Sequence, residues 1–105
     1  MDMRVMMKQA QKMQLQVAKV QEELKSLELE GTAGGGMVSA VATGEGGIKS
    51  ITINPMVVDP DDVELLQDMV VAAVNEALRA IAEESSARMS AVTGNMKIPG
   101  MPGMM

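Results

Sequence analysis

The 105-residue sequence contains no Phe, Tyr or Trp, no Cys and no His. Aromatic side chains bury the largest areas, about 150–250 Å² each, so an apolar core built without them is thin. The chain offers thirteen Met together with Val and Ala instead. A small domain with such a core is commonly stabilised by self-association. The composition therefore predicts an obligate oligomer, most simply a twofold dimer.

The absence of His and Cys also removes the residues that catalysis uses most readily near neutral pH. No imidazole can act as a general base, and no thiolate can act as a nucleophile or form a disulfide. Asp61, Asp62 and Glu64 cluster at a predicted helix start, where capping accounts for them. Ser85 and Ser86 have no base beside them in the sequence. We therefore expect no enzyme, no cofactor and no small-molecule substrate.

Two further classes of site find little support. Met101, Met104 and Met105 could ligate Cu(I) through their thioethers, but they lie among Pro and Gly without His or Cys nearby. The longest apolar run, residues 69–74, is far shorter than the roughly 20 residues of a membrane span. There is no cationic segment followed by an apolar one, as in a secretory signal. We expect a soluble, cytoplasmic protein with no metal.

Residues 3–27 carry the strongest periodic pattern in the chain. Apolar residues recur there at alternating steps of three and four, as on one side of a long helix. They are Met3, Met6, Ala10, Met13, Val17, Val20, Leu24 and Leu27, which we call the apolar seam. The seam is typical both of packing on a second helix of the same chain and of a two-stranded coiled coil.

A second set of residues lies on the opposite side of the same predicted helix. At about 100° per residue, four cations fall within an arc of about 80°; we call Arg4, Lys8, Lys12 and Lys19 the cationic strip. Residues 1–21 hold these four cations and one acid, although the whole chain has a formal net charge of −5. Because the Debye length is about 8 Å at physiological salt, such a strip can attract an anion locally.

The cationic strip admits a functional and an ordinary interpretation. It could be only the solvated side of a dimeric helix. Against that, Gln9, Gln11, Gln14 and Gln16 lie between the cations, and Gln can donate to phosphate or sugar oxygens without adding charge. No aromatic side chain is present to stack on unpaired bases, and no helix-turn-helix or zinc-finger pattern occurs. Duplex DNA, held through its phosphate backbone, is the predicted ligand.

A short antiparallel sheet is predicted after the first helix. The glycines of residues 31–36 could form a phosphate cradle or a turn, and a turn is favoured because a strand pattern follows. Residues 38–43 alternate apolar and polar side chains, and residues 44–47 (GEGG) suit a hairpin. Ile51 and Ile53 alternate with the polar residues 50, 52 and 54 on the returning strand, which Pro55 ends. A further strand near residues 27–32 completes the prediction.

A second long helix is predicted from Val63 to about Val92, ending near Gly94. Asp59 suits its N-cap and Pro60 its first helical position. Residues 70–74 (VVAAV) are apolar on every side, which indicates a helix enclosed by the sheet and by a partner chain. Residues 95–105, rich in Met, Pro and Gly, are predicted to be a flexible tail after a single domain of residues 1–94.

A helix, then strands, then a second helix give an α+β fold. Four segments, in the same order and with compatible spacing, resemble the YbaB/EbfC family of bacterial nucleoid-associated proteins. They are residues 7–14 (MKQAQKMQ), 34–38 (GGGMV), 51–55 (ITINP) and 66–77 (LQDMVVAAVNEA). The resemblance spans nearly the whole chain. It implies an α-β-β-β-α protomer with a small antiparallel sheet and two long helices, the second of which follows the sheet. It also implies a tweezer-like homodimer with projecting arms.

The resemblance further implies binding to double-stranded DNA, with little sequence preference, in the nucleoid. The DNA-binding residues would be Arg4, Lys8, Lys12, Lys19 and Arg88. The dimer interface would comprise Ile51, Ile53, Val70, Val71, Val74 and Leu78. The sequence departs from the family late in the second helix, where Glu83 and Glu84 accompany the single cation Arg88. Glu84 lies four residues before Arg88, the favourable spacing for an ion pair that neutralises it.

Two other functions remain open on the residues alone. A protein-interaction adaptor could dock a partner helix on the Met-rich seam, because Met packs adaptably. An amphipathic arm could lie on an anionic membrane, although it lacks the aromatic anchors common at interfaces. The sequence does not choose a DNA sequence preference, or between bending and bridging of DNA.

Overall fold

The computed structural model of the chain describes residues 2–93. Two long helices flank a three-stranded sheet in the order α-β-β-β-α, with one short 3-10 helix before the last element. The elements are α1 (Met3–Lys25), β1 (Glu28–Ala33), β2 (Val38–Thr43), β3 (Ile48–Ile53), the 3-10 helix (Pro55–Val57) and α2 (Val63–Thr93). The predicted α+β fold is therefore confirmed. The predicted tail lies outside the described residues.

Helix α1 has defined caps at both ends. The side chain of Asp2 accepts a hydrogen bond of 3.1 Å from the backbone N–H of Arg4, which satisfies one of the free donors of the first turn. At the other end, the hydroxyl and the N–H of Ser26 both donate to the carbonyl of Glu23. This closure ends the helix at Lys25, so the prediction that Leu27 continues the helical seam is wrong. Leu27 packs against the core instead.

Strand β2 lies at the centre of an antiparallel sheet whose order is β1-β2-β3. Its alternation is confirmed, since Val38, Ala40 and Ala42 are fully buried while the residues between them are not. A bulge at the β2–β3 pairing shifts the register, so that Ala42 pairs with Ile48 while Val41 pairs with Ser50. The bulge places Ile48 on the same face as Ile51.

Glycines in and after β1 are required for two different reasons. Gly34, Gly35 and Gly36 turn the chain from β1 to β2 with φ of 63°, 66° and 91°, a region that other L-residues rarely occupy. The turn interpretation of this segment is therefore correct. Gly31 has a different role, because a Cβ atom there would lie 2.2 Å from the backbone N of Ala77. Its missing side chain allows β1 and α2 to pack backbone against backbone.

Helix α2 starts at Val63, three residues later than it would with Asp59 as its N-cap. Asp59 accepts a hydrogen bond of 2.9 Å from the N–H of Asp61 and stabilises a turn. Asp62 accepts one of 3.2 Å from the N–H of Leu65 and occupies the N-cap position. The predicted N-cap at Asp59 is thus wrong, because the turn around Pro60 intervenes. The predicted helix itself is confirmed.

The core forms where α2 crosses the face of β1 and β2. Its buried members are Val38, Ala40, Ala42, Ala73, Ala77 and Ile81. Helix α2 covers β3 only slightly, so the isoleucines on the same face of that strand stay open to solvent. Their exposed fractions are 37% for Ile48, 44% for Ile51 and 37% for Ile53. One protomer therefore leaves an apolar strip of its sheet uncovered.

We call the sheet together with α2 the body of the protein. Helix α1 packs on this body through its C-terminal half only. Val20 is buried, and Val17 and Leu24 are half-buried, whereas Met3 and Met6 are 74% and 53% exposed. The first half of α1 therefore projects as an arm. This projection gives the molecule an elongated outline of 71 × 28 × 16 Å.

Candidate nucleic-acid interface

Arg4, Lys8 and Lys12 of the cationic strip lie on the projecting arm, and Lys19 lies on the half of α1 that packs on the body. Arg4, Lys8, Lys12 and Lys19 are all exposed. They occupy the side of α1 opposite Val17 and Val20, because the two sets are separated by about half a turn of the helix. The strip extends about 22 Å along the helix axis, at about 1.5 Å per residue. Packing of α1 on α2 thus directs the strip away from the body.

The cations of this strip differ from the other cations that the structure describes in whether they form ion pairs. Ion pairs among residues 2–93 join Lys25 to Glu22, Lys49 to Glu28, Arg79 to Glu76 and Glu83, and Arg88 to Glu84. None of these pairs includes a member of the cationic strip. The four strip cations are therefore free of acidic partners within residues 2–93, whereas the four other cations in that range are neutralised by glutamates.

The best-neutralised cation is on the body. Two glutamates of the same helix, Glu76 and Glu83, contact the guanidinium of Arg79. They hold the pKa of Arg79 above its ordinary value, mainly through the hydrogen bonds that its guanidinium donates to Glu76. Lys49 is likewise bound, since its Nζ lies 2.6 Å from Glu28 across the polar face of the sheet. The body therefore keeps its positive charge within its own ion pairs.

Arg88 is at the base of the arm, beside the strip. It lines a groove of about 370 Å³ between the two helices together with Gln16, Lys19 and Glu23. Its Nε donates a hydrogen bond of 3.0 Å to Glu84, and 35% of its side chain is exposed. The ion pair expected from the spacing of these residues is present. Arg88 is therefore near Lys19 but is already partnered.

The six residues predicted for the dimer interface differ in their environment. Ile51 and Val71 are 44% and 58% exposed, and Ile53 lies on the same open face of β3. Val70, Val74 and Leu78 are half-buried and pack against the protomer's own core. The first three are available to a partner chain, while the last three already stabilise the fold.

One apolar residue of the open face was missed by the sequence analysis. Ile48 and Ile51 are three residues apart, and strict alternation would place them on opposite faces of a strand. The bulge opposite Val41 and Ala42 restores them to one face. The glycines of residues 44–47, directly before Ile48, were the available signal, because bulges often accompany such turns.

Two other classes of site receive no support from residues 2–93. No group of three or more acidic residues there is arranged to hold a metal ion. Neither α1 nor α2 combines the length and apolar character needed to cross a membrane. The exposed and unpaired cations are thus the chemical feature that the fold presents most clearly.

Known proteins resemble this chain over nearly its whole length. The model of the YbaB/EbfC DNA-binding family matches residues 1–96. A protein of Acetivibrio thermocellus named "Nucleoid-associated protein" is 57% identical over 99 residues, covering 94% of this chain and 86% of that protein. One of the same name from Pelotomaculum thermopropionicum is 53% identical over 100 residues, covering 95% of each.

A solved structure is similar in fold. The crystal structure of an uncharacterized protein from Helicobacter pylori aligns with a TM-score of 0.70 and 24% sequence identity. The alignment covers 91% of this chain and 97% of that one. The order of helices and strands is thus shared with a protein of distant sequence.

Proposed function

We propose that this chain, which belongs to the YbaB/EbfC DNA-binding family, is a non-enzymatic, nucleoid-associated protein that binds duplex DNA as a homodimer. The family and the names of its relatives support DNA as its partner and the nucleoid as its location. We assign this function to a single domain of residues 1–94, as predicted from the sequence.

One observation supports the mode of binding. The four exposed cations of the strip on α1 have no acidic partner within residues 2–93, whereas the other cations there are ion-paired. Free cations can exchange with the counterions condensed on DNA without first breaking an internal pair. Contacts to phosphates position a protein but carry no sequence information. We therefore assign to the strip a backbone-directed contact with little sequence specificity.

The uncovered face of β3 supports the homodimer. Ile48, Ile51 and Ile53 form an exposed apolar row beside the core, and water contact with such a row is unfavourable. A second copy of the chain would bury this row and present two arms. Doubling the strip to eight cations strengthens the attraction for one duplex in a cleft between the arms.

A salt titration tests this proposal. Binding of a fluorescent, random-sequence duplex is measured by anisotropy from low to moderate salt. If six to eight phosphates are engaged, log affinity falls with log salt with a slope of about −5 to −7. A slope near zero, or no binding at low salt, contradicts the proposal.

The adaptor function is the second candidate, because Met3 and Met6 of the apolar seam are exposed on the arm. A partner helix docked there would use the side of α1 opposite the cationic strip. The same titration separates the two functions, since an adaptor would leave the duplex unbound. A helical partner recovered with the native chain, and lost on Met6→Gln substitution, would then support the adaptor.

A further inference from the structure

We propose that Leu15 is a non-ionic contact to the DNA duplex and distinguishes duplex DNA from a simple chain of phosphates. The inference rests on the proposed function and deepens it by naming a fifth residue of the interface. Leu15 is 72% exposed on α1. It is a large apolar side chain in the middle of the side of the helix that carries the cationic strip.

Helix geometry places Leu15 between two of the cations. It follows Lys12 by three residues and precedes Lys19 by four, which is about 4.5 Å and 6 Å along the axis. Around the axis it falls inside the 80° arc between Arg4 and Lys12. A surface that spans the strip from Arg4 to Lys19 therefore passes over or beside Leu15.

The fold gives no other reason for Leu15 to be at this position. The packing side of α1, with Val17 and Val20, is on the opposite side of the helix. Of the other apolar groups exposed on α1, Val5 and Met7 (45% and 59% exposed) lie outside the 80° arc of the strip. Met3 and Met6 belong to the seam. Leu15 buries little surface in the protomer and is therefore available to the ligand that the strip binds.

The chemistry of duplex DNA supplies a suitable surface. Between neighbouring phosphates, the deoxyribose rings present C–H groups at the edge of each groove. Lys12 and Lys19 are long enough to reach phosphates while their helix approaches the backbone. The shorter Leu15 side chain then packs against the sugars between those phosphates. This contact removes apolar surface from water and, unlike an ion pair, is not weakened by salt.

The test compares Leu15→Gln, Lys12→Gln and the matched control Leu65→Gln. Gln has almost the same helix propensity as Leu, so α1 is retained, which circular dichroism verifies. Leu65 is 53% exposed near the start of α2, away from the arm. Each variant is titrated with the random-sequence duplex over the salt series and, by calorimetry, with long-chain inorganic polyphosphate, which has charges but no sugars or bases.

Leu15→Gln is expected to weaken duplex binding about tenfold at every salt concentration, the loss that burying a Leu side chain predicts. Its salt slope and its polyphosphate affinity stay unchanged. Lys12→Gln instead makes the slope less negative by about 0.9 for each arm bound and weakens both ligands. Leu15→Met, which keeps an apolar side chain, restores duplex affinity to within about threefold, and Leu65→Gln binds like the native chain.

Two results overturn the assignment of Leu15 alone. One is native duplex affinity for Leu15→Gln when Lys12→Gln is impaired. The other is an equal loss for duplex and polyphosphate, which would mean that Leu15 only maintains the helix. If the native chain binds neither ligand at low salt, the proposed function fails and the inference fails with it.

Discussion

Arg88 donates a hydrogen bond of 3.0 Å from its Nε to Glu84 Oε1, one turn earlier on α2. This pair lies at the base of the arm, where Arg88 shares a groove with Lys19. The glutamate neutralises the one cation that the end of α2 adds to the interface within residues 2–93. Positive charge on this face is thus concentrated on α1.

Releasing Arg88 from this pair should strengthen DNA binding. In Glu84→Gln the guanidinium keeps its charge and loses its acidic partner, so it becomes available to a phosphate. We expect about threefold higher affinity at low salt and a slope more negative by up to about 0.9 for each arm. Glu64→Gln removes an equal charge from the start of α2 and serves as the control in the anisotropy titration. Equal effects of the two variants would show that only net charge matters.

Reversing charge within the strip should abolish binding. Lys8→Glu combined with Lys12→Glu replaces two free cations by two anions on each arm, and both side chains are exposed, so the fold is retained. The matched control is Lys25→Glu combined with Lys49→Glu, which makes the same change at cations already paired with glutamates. We expect duplex binding below detection for the first variant and a loss of a few-fold at most for the second. Similar losses in both would refute a local strip.

The dimer should depend on the exposed apolar residues rather than on the half-buried ones. Ile51→Asp combined with Val71→Asp places charge on surfaces that solvent reaches in the protomer, so the protomer stays folded and the dimer dissociates. Substituting Val70 or Val74 would also damage the protomer's core. Analytical ultracentrifugation measures the mass, and circular dichroism measures the fold. A folded double variant that still sediments as a dimer would exclude this surface.

Leu65→Asp is the control for that experiment. Leu65 is 53% exposed and projects from α2 about 120° away from Val71 around the helix axis. It should leave the dimer intact. In the Ile51→Asp/Val71→Asp variant, by contrast, DNA affinity should fall as the dimer dissociates, because each duplex then meets one arm instead of two.

Gly31, the one glycine of β1, should not tolerate a side chain. In Gly31→Ala the new Cβ would lie 2.2 Å from Ala77 N and 2.6 Å from Ala73 O, so α2 must move off the sheet. We expect the free energy of unfolding in urea to fall by about 1–3 kcal/mol. Gly47→Ala is the control, since its nearest contact would be an ordinary 3.7 Å to Thr43 Oγ1. Equal stability of the two variants would contradict close packing at Gly31.

Local patterns predicted most of the fold because they act over short distances along the chain. The alternation of β2 and the period of both helices require only neighbouring residues, and the structure confirms them. The errors lie at the ends of the helices, where a cap or a turn determines which residue is the last or the first. Leu27 leaves the helix because Ser26 closes it, and Asp62 replaces Asp59 as the N-cap because a turn forms first.

The candidate site was predictable in part for the same reason. The angular position of Lys12 and its neighbours follows from helix geometry alone, and the Arg88–Glu84 pair follows from a spacing of four. The Lys49–Glu28 pair could not be predicted, because it spans β2 and depends on the sheet order. The alignment of Ile48 with Ile51 depended on a bulge that leaves no strict pattern in the sequence.

The segregation of charge along a 71 Å molecule has a consequence for how it meets DNA. Its leading helix is positive and the rest of the chain is strongly negative, so the protein has a large electric dipole moment along its length. The field of a nearby duplex exerts a torque on such a body and turns its arm forward before contact. We therefore expect encounters to begin with the arm toward the DNA, and the acidic body to be repelled by it.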